Sequence, residues 1–176
     1  MHRHKNNKLI FQTDAFYDNK IASKYTCDGE DISPLLLWHD TNQNVGGYVL
    51  IVDDPDAQKV VGKTFVHWIV FMPPHITSLP EGVSSKEGSS LFELDPAIHE
   101  VHNDYGQSTY RGPCPPEEQM HTYRFTLFAV KESVDKLAQS HKLKAPFTAD
   151  DFRTAMADEI IEEASFDAKY KRMYRQ

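Results

Sequence analysis

The chain has 176 residues, and 40% of them are hydrophobic, which is enough for one sizeable core. We therefore expect a single domain over residues 1–176, in which residues 1–8 form a disordered extension. The formal charge of −7 opposes the phosphate neutralisation that nucleic-acid binding requires, and it disfavours DNA or RNA as a partner. No apolar run approaches the ~18 residues of a membrane span, and residues 1–8 lack the apolar core of a signal peptide. The sequence therefore predicts a cytoplasmic protein without a transmembrane segment.

Cys27 and Cys114 are the two cysteines of the chain, and neither belongs to a CxxC pair. Two such residues can form neither a disulfide framework nor a cysteine-rich zinc site. Isolated cysteines are commonly ordinary buried residues, and this is the expectation here. A bond between them requires that their α-carbons approach within about 7 Å, which the sequence does not determine.

Short apolar runs separated by Gly and Pro predict that most of the first 130 residues form strands and loops. Four runs are rich in strand formers: Leu35–Trp38, Gly47–Val52, Phe65–Phe71 and Tyr123–Val130. The third is apolar on both of its faces, which is typical of a strand that is covered on both sides. The proline-rich segment from Met72 to Gln119 predicts stiff loops.

The hydrophobic pattern changes after Val130. Thr148 followed by Asp151 is typical of a capping box at the start of a helix. The apolar residues that follow fall on one helical stripe: Phe152, Ala155, Met156, Ile160 and Ala164. These signals predict a helix of about twenty residues from Thr148, and a shorter helix is predicted over Val134–His141. Strands first and helices last indicate an α+β domain that is mainly β.

Strand alternation places two histidines on apolar faces. His121 shares the face of Tyr123 at the start of the last strong strand, and His67 lies inside the third apolar run. The predicted face-mates of His67 are Phe65, Ile69 and Phe71. A buried imidazole requires a hydrogen-bonding partner, so both rings are candidate functional groups.

The acidic stretch Asp53-Asp54-Pro55-Asp56 follows a buried strand directly. If a carboxylate met a histidine there, the pKa of the histidine would rise and that of the carboxylate would fall, which would keep an imidazolium at neutral pH. Such a pair can hold a small anion, and the amide of Gly112 could add a backbone donor. The alternative is a satisfied core histidine beside a solvated acidic turn, and composition and spacing leave both interpretations open.

Metal binding is a minor alternative for the same polar residues. Asp54, Asp56, His67 and His121 are residue types that suit a divalent ion. A calcium loop starting at Asp54 lacks the turn glycine and has Phe65 in the position of the bidentate glutamate. We therefore expect no metal.

Six motifs occur here in the order seen in the phosphatidylethanolamine-binding protein family, also called the Raf kinase inhibitor protein family. They are Asp53-Asp54-Pro55-Asp56-Ala57, Phe65-Val66-His67-Trp68-Ile69-Val70, Leu79-Pro80-Glu81-Gly82, Asn103-Asp104-Tyr105-Gly106, Tyr110-x-Gly112-Pro113-Cys114-Pro115-Pro116 and His121-x-Tyr123-x-Phe125-Thr126-Leu127. The upstream Tyr25–Gly29, Ser33-Pro34 and Trp38, and the closing Tyr170-Lys171-Arg172, resemble its bacterial and archaeal branch. The match spans about residues 9 to 172.

The resemblance implies a large central β-sheet packed against a smaller one, with helices near the C-terminus. It also implies a small anion pocket, whose residues carried over by position are Asp54, Asp56, His67, Gly112, Pro113 and His121, with Tyr123 as a further candidate. Members bind phosphate-like groups such as phospholipid headgroups and phosphorylated residues, and several inhibit kinases or proteases. The resemblance implies no cofactor and no agreed catalytic activity.

Three functional hypotheses follow. The first is a non-catalytic binding protein for a phosphate-like group on a larger ligand. The second is a hydrolase that uses an aspartate as base and a histidine as acid, although no nucleophile is identifiable. The third is a protein-protein regulator of a kinase or protease, with the pocket as a switch, or an inhibitor that acts independently of the pocket.

The sequence departs from the family pattern near the predicted pocket. Gln58 replaces the usual proline, and Thr122 stands where arginine is common. Glu117 and Glu118 precede His121, and their charges would weaken the attraction for a doubly charged phosphate.

Overall fold

In the computed structural model, which describes residues 7–88 and 91–173, the chain forms two antiparallel sheets and four short helices. The strands are β1 (Leu9–Gln12), β2 (Leu36–Asp40), β3 (Gly47–Asp54), β4 (Phe65–Met72), β5 (Ser78–Leu79), β6 (His99–Val101), β7 (Met120–Val130) and β8 (Ile160–Lys171). The helices are α1 (Gln58–Val61), α2 (Leu91–Leu94), α3 (Val134–Ala138) and α4 (Ala149–Ala155). The predicted fold class, α+β and mainly β, is confirmed. Most of the predicted N-terminal extension lies outside the described residues.

The larger sheet has the strand order β6-β4-β3-β7-β8, and the smaller one has the order β1-β2-β5. β3 lies at the centre of the larger sheet and is buried at every position, because both faces of that sheet are covered. On one face the two sheets enclose a core rich in aromatic residues, in which Trp68 and Phe125 are fully buried. This packing of a large sheet on a small one is the arrangement that the resemblance implied.

The other face of the larger sheet is covered by α3 and α4. Phe152 of α4 is fully buried there and packs on Phe128 of β7, with ring centroids 4.7 Å apart. The predicted capping box is present, since Thr148 accepts a hydrogen bond from the amide of Asp151 and the Asp151 carboxylate accepts one from the amide of Thr148. Among the described residues, no helix is long and apolar enough to cross a bilayer.

The predicted twenty-residue helix from Thr148 is wrong beyond its first turns. α4 ends at Ala155, and residues 160–171 form β8, which pairs with β7 along its whole length. Hydrogen bonding of this segment to the edge of β7 outweighs the helical preference that its apolar stripe indicated. Phe166 of β8 also stacks on Phe125, with ring centroids 4.9 Å apart. The alternation of Ala164, Phe166 and Ala168 was a period-two signal for this strand.

A disulfide joins Cys27 and Cys114, whose α-carbons are 5.4 Å apart. The expectation of two separate thiols is therefore wrong, because the fold brings together two loops that lie 87 positions apart in the sequence. The amide of Cys27 also donates a hydrogen bond to the carbonyl of Pro113 at 3.1 Å. The bond thus fixes the loop that contains Gly112 and Pro113 against the loop after Tyr25.

We expect that replacing both cysteines by serine, or adding a dithiol reductant, lowers the free energy of unfolding by about 2–5 kcal/mol, because the bond restricts a long loop of the unfolded chain. Urea denaturation with and without reductant measures this loss. The double serine variant is the control, since reductant should leave its curve unchanged. Identical curves for the oxidised and reduced wild type would contradict the prediction.

Candidate functional site

The end of β3 is fixed by the carboxylate of Asp54, which is 3% exposed. Its Oδ1 accepts a hydrogen bond from the amide of Ala57 at 3.2 Å, so Asp54 caps the 3₁₀ turn Pro55–Ala57. Its Oδ2 lies 2.6 Å from Nδ1 of His121 on β7. The strand therefore ends in negative charge because that charge bonds to both the following turn and a histidine on the neighbouring strand.

Burial raises the pKa of Asp54, and the hydrogen bond and charge of His121 oppose this rise without reversing it. The sequence predicted the opposite direction for a carboxylate that meets a histidine. The prediction neglected desolvation, which disfavours the charged carboxylate at this depth.

Asp56 has a structural contact of its own. Its Oδ2 accepts a hydrogen bond from the amide of Thr122 at 2.7 Å. Asp54 and Asp56 both bind β7, on either side of Pro55, so the acidic turn is attached to the strand that carries His121 and Tyr123. Thr122 contributes its main-chain amide to this contact.

His67 is the extra residue of a β-bulge in β4. Val52 of β3 faces Trp68, and the next residue, Asp53, faces Val66, so His67 has no partner in β3. The bulge shifts the alternation of β4 by one position, and bulges are common where a side chain is redirected at a site.

The bulge corrects the predicted face of His67. The ring packs on Phe65, with centroids 5.1 Å apart, as predicted. Ile69 and Phe71 instead belong to the core under α3 and α4, together with Val66. His67 thus points away from these predicted face-mates.

The imidazole of His67 is held as a neutral ring. Its Nδ1 donates a hydrogen bond to the carbonyl of Arg111 at 2.8 Å, and no hydrogen bond to Nε2 is found among the described residues. Burial lowers the pKa of His67 to about 4, although the Arg111 carbonyl and the charge of Asp104 favour the protonated ring. The predicted imidazolium at neutral pH is therefore wrong for His67.

The hydroxyl of Tyr123 is buried and has no hydrogen-bond partner among the described residues. Its ring makes an edge contact with His67 at 5.4 Å and lies 6.4 Å from the ring of His121. Burial raises the pKa of Tyr123, with a contribution from the charge of Asp54, so the hydroxyl remains a hydrogen-bond donor at all ordinary pH values.

The predicted donor role of Gly112 is wrong. Its amide donates to Oδ1 of Asp31 at 2.7 Å and is therefore committed within the protein. A Cβ at position 112 would clash with the carbonyl of Tyr25 and lie 2.6 Å from the Asp31 carboxylate. Glycine is needed here because two loops pack closely. Pro113, also buried, accepts from Cys27 through its carbonyl.

Asp31 and Tyr105 are further residues of the site that the analysis of the sequence did not single out. Asp31 is 2% exposed, has φ of 57°, and binds the side chain of Arg111 as well as the amide of Gly112. Tyr105 packs on His67 at 6.2 Å while remaining 41% exposed, so it covers His67 from the solvent side. Asp31 gave no local signal, because its partners lie 80 and 81 residues away.

A cavity of about 230 Å³ lies beside His121 and is lined by Asp56, Lys59, Gln119 and Met120. The structure brings Asp54, His121 and Tyr123 together and places His67 against Tyr123. Over the described residues, no group of three or more His, Cys, Asp or Glu side chains is arranged to hold a metal ion. The minor metal hypothesis is not supported.

Asp53 has a purely structural environment on the opposite face of the sheet. It is fully buried and binds Arg124 in a bidentate manner, with distances of 2.8 and 3.0 Å. Its Oδ2 also accepts from the amide of Ala149 at 2.9 Å, which attaches the start of α4 to the sheet.

Comparisons with known proteins agree with this fold. The sequence profile of the phosphatidylethanolamine-binding protein family matches residues 12–171. The chain is 34% identical over 170 residues to the UPF0098 protein PH1269 of Pyrococcus horikoshii, covering 94% of this chain and 78% of that relative.

Two solved structures are also similar. CT736 of Chlamydia trachomatis has a TM-score of 0.70 and 28% identity, with 94% of this chain and 99% of that chain covered. YbcL of Escherichia coli has a TM-score of 0.74 and 21% identity, with coverages of 93% and 98%, and supports the fold alone. The chain therefore belongs to the phosphatidylethanolamine-binding protein family. As predicted, these relatives are archaeal and bacterial proteins.

We expect Asp53→Asn to lower the free energy of unfolding by about 3–5 kcal/mol, because it leaves the partly buried Arg124 without its charged partner and weakens the bond to Ala149. The matched control is Asp150→Asn, which removes the exposed ion pair of the same arginine and should cost under about 1 kcal/mol. Urea denaturation measures both. Equal losses would contradict the assignment of Asp53 as the anchor of α4.

The stability of the protein should depend on pH through His67. Its pKa of about 4 in the folded state lies below the ordinary value of 6.5, so the native state binds fewer protons than the unfolded chain between these values. The resulting stabilisation is complete above the unfolded pKa and is lost as the pH falls towards 4.

We therefore expect wild type to lose on the order of 3 kcal/mol relative to His67→Gln between neutral pH and about pH 4. The raised pKa of Asp54 acts in the opposite direction in both proteins, so it is expected to cancel in the difference. Urea denaturation across this pH range tests the prediction, and parallel stability curves would contradict it.

Proposed function

We propose that this protein is a non-catalytic binding protein whose pocket takes a small phosphate-like group carried by a larger ligand, such as a lipid headgroup or a phosphorylated residue. Membership of a family named for binding phosphatidylethanolamine supports the chemical class of the ligand. The supporting observation in this chain is the buried hydroxyl of Tyr123, which has no partner among the described residues, on a ring that lies 5.4 Å from the ring of His67 and 6.4 Å from that of His121.

A buried hydroxyl without a partner costs free energy, so its retention here favours a donor kept for a ligand. A ligand oxygen beside Tyr123 would also lie near the ring of His67, whose Nε2 has no hydrogen-bond partner among the described residues. Tyr105 covers His67 but is partly exposed, so displacement of this one ring would admit the ligand.

A hydrolase is the second candidate, and one contact favours it. Asp54 bonds Nδ1 of His121 at 2.6 Å, which is how a carboxylate orients a general base, and Nε2 of the same ring lies 3.3 Å from Oε1 of Gln119, a residue that lines the cavity. Turnover of a phosphoester panel that is lost in His121→Gln would establish this function. Saturable binding without turnover supports the binding protein.

The disulfide argues against the predicted cytoplasmic location. Disulfides persist in oxidising compartments and are rare in the cytosol of mesophiles. The bond between Cys27 and Cys114 therefore favours an oxidising environment for this protein.

We expect Tyr123→Phe to weaken binding of inorganic phosphate, O-phosphoserine or phosphoethanolamine about three- to tenfold, which is the loss of one hydrogen bond. The same variant should keep or raise the free energy of unfolding, because the hydroxyl has no partner within the described protein. Calorimetric titration and urea denaturation measure the two effects.

Tyr110→Phe is the matched control. Its hydroxyl is also buried but donates to the carbonyl of Tyr25 at 2.6 Å, so this variant should lose about 1 kcal/mol of stability and keep its affinity. If wild type binds none of the three phosphate compounds, the proposed function is wrong. If Tyr123→Phe binds as tightly as wild type, the hydroxyl is not the donor.

A further inference from the structure

The charges around the pocket are unsuited to a doubly charged anion. Asp54 and Asp56 lie at it, and Glu117 and Glu118 are exposed on the chain just before β7. Lys59 is the one cationic side chain that lines the cavity beside His121, as far as the described residues show. A dianion would therefore approach against net negative charge.

Arg111 does not supply the missing positive charge. Its Nε donates to Asp31 at 3.1 Å, and its Nη1 donates to Gln107 at 3.0 Å. Its guanidinium carbon lies 4.5 Å from the ring centroid of Tyr105. The guanidinium is committed to these groups, and it is the main-chain carbonyl of Arg111 that reaches His67.

That carbonyl determines what His67 can offer to a ligand. A carbonyl oxygen accepts hydrogen bonds and cannot donate them, so the proton of the imidazole lies on Nδ1. In the neutral ring Nε2 then has a lone pair and no hydrogen. A ligand oxygen that bonds to Nε2 must bring its own proton.

Burial keeps the ring of His67 neutral at ordinary pH. It lowers the pKa of His67 more than the backbone hydrogen bonds to Arg111 and Gly112 and the charge of Asp104 raise it, and the charge of Arg111 acts in the same direction as burial. Tyr105 and Tyr123 pack against the ring, and burial raises the pKa of each phenol, so neither contributes a negative charge.

Asp54 and His121 are paired with each other. Asp54, at the end of the strand beside β4, bonds to His121 on β7 at 2.6 Å. Any charge on this imidazole is offset by the carboxylate that it touches. The pocket therefore presents an acceptor at His67, a donor at Tyr123 and no net positive charge for an incoming group.

We infer that the pocket selects the protonated, singly charged form of a phosphate monoester over its dianion, with the P–OH donating to Nε2 of His67 and a phosphoryl oxygen accepting from Tyr123. This specificity rests on the proposed function. It makes His67 the residue that distinguishes the protonated form of the ligand from the deprotonated form. A monoester whose second pKa is about 6 then binds best under mildly acidic conditions.

The test compares two ligands on the wild-type protein by calorimetric titration between about pH 5 and pH 8. Methyl phosphate has a second ionisation in this range, and dimethyl phosphate is singly charged throughout and has no P–OH. We expect the affinity for methyl phosphate to fall about tenfold per pH unit above its second pKa. The weaker affinity for dimethyl phosphate should not change with pH. The ³¹P shift of bound methyl phosphate at pH 7.5 should match that of the free monoanion.

The possible outcomes separate the inference from the proposed function. Affinity for methyl phosphate that is constant or rises with pH overturns the inference and leaves the binding function intact. Affinity for dimethyl phosphate that also falls with pH assigns the proton to His67 and likewise overturns it. If neither ligand binds at any pH, the proposed function fails as well.

Two variants provide controls. His67→Gln presents an amide that can donate or accept, so it should bind the dianion and flatten the pH dependence for methyl phosphate. Lys59→Gln lies at the cavity and should weaken both ligands by the same factor without changing the pH dependence. An unchanged pH dependence in a folded His67→Gln variant would contradict the role assigned to His67.

Discussion

Two consecutive carboxylates at the end of the central strand must each find hydrogen-bond donors, because an unpaired buried charge is too costly to keep. Alternation along β3 sends them to opposite faces of the sheet. Asp53 binds Arg124 and the start of α4, and Asp54 binds the acidic turn and His121. One strand end therefore attaches the helical layer on one side and builds the pocket on the other.

The pocket is less charged than an Asp–His pair suggests. Desolvation raises the pKa of Asp54 and lowers that of His67, and both shifts favour neutral groups. His67 takes its partner from the main chain of Arg111, while Asp54 takes His121. Within the described part of the chain, the hydroxyl of Tyr123 is a buried donor without a hydrogen-bond partner. Under the proposed function, this combination of an acceptor and a donor would be more selective than a positive charge, because it would depend on where the ligand carries its proton.

Local sequence patterns correctly predicted the elements that depend on interactions between residues close together in the sequence. The four strands were found from short apolar runs, and the capping box at Thr148 was found because its two partners are three residues apart. The helix that was predicted to continue from it failed, because pairing with β7 decides the conformation of residues 160–171. A helical periodicity contains no information about a strand edge that lies far away in the sequence.

The sequence by itself determined four of the strands, the start of α4, the family, and the candidate polar residues at the strand ends. Only the tertiary structure decided how these residues bond. The bulge at His67 comes from register between two strands, and the amide of Gly112 is occupied by Asp31 from a distant loop. The disulfide likewise joins loops 87 residues apart. Partner choice, burial and hence protonation depend on groups that fold together across the whole chain, and no local pattern contains that information.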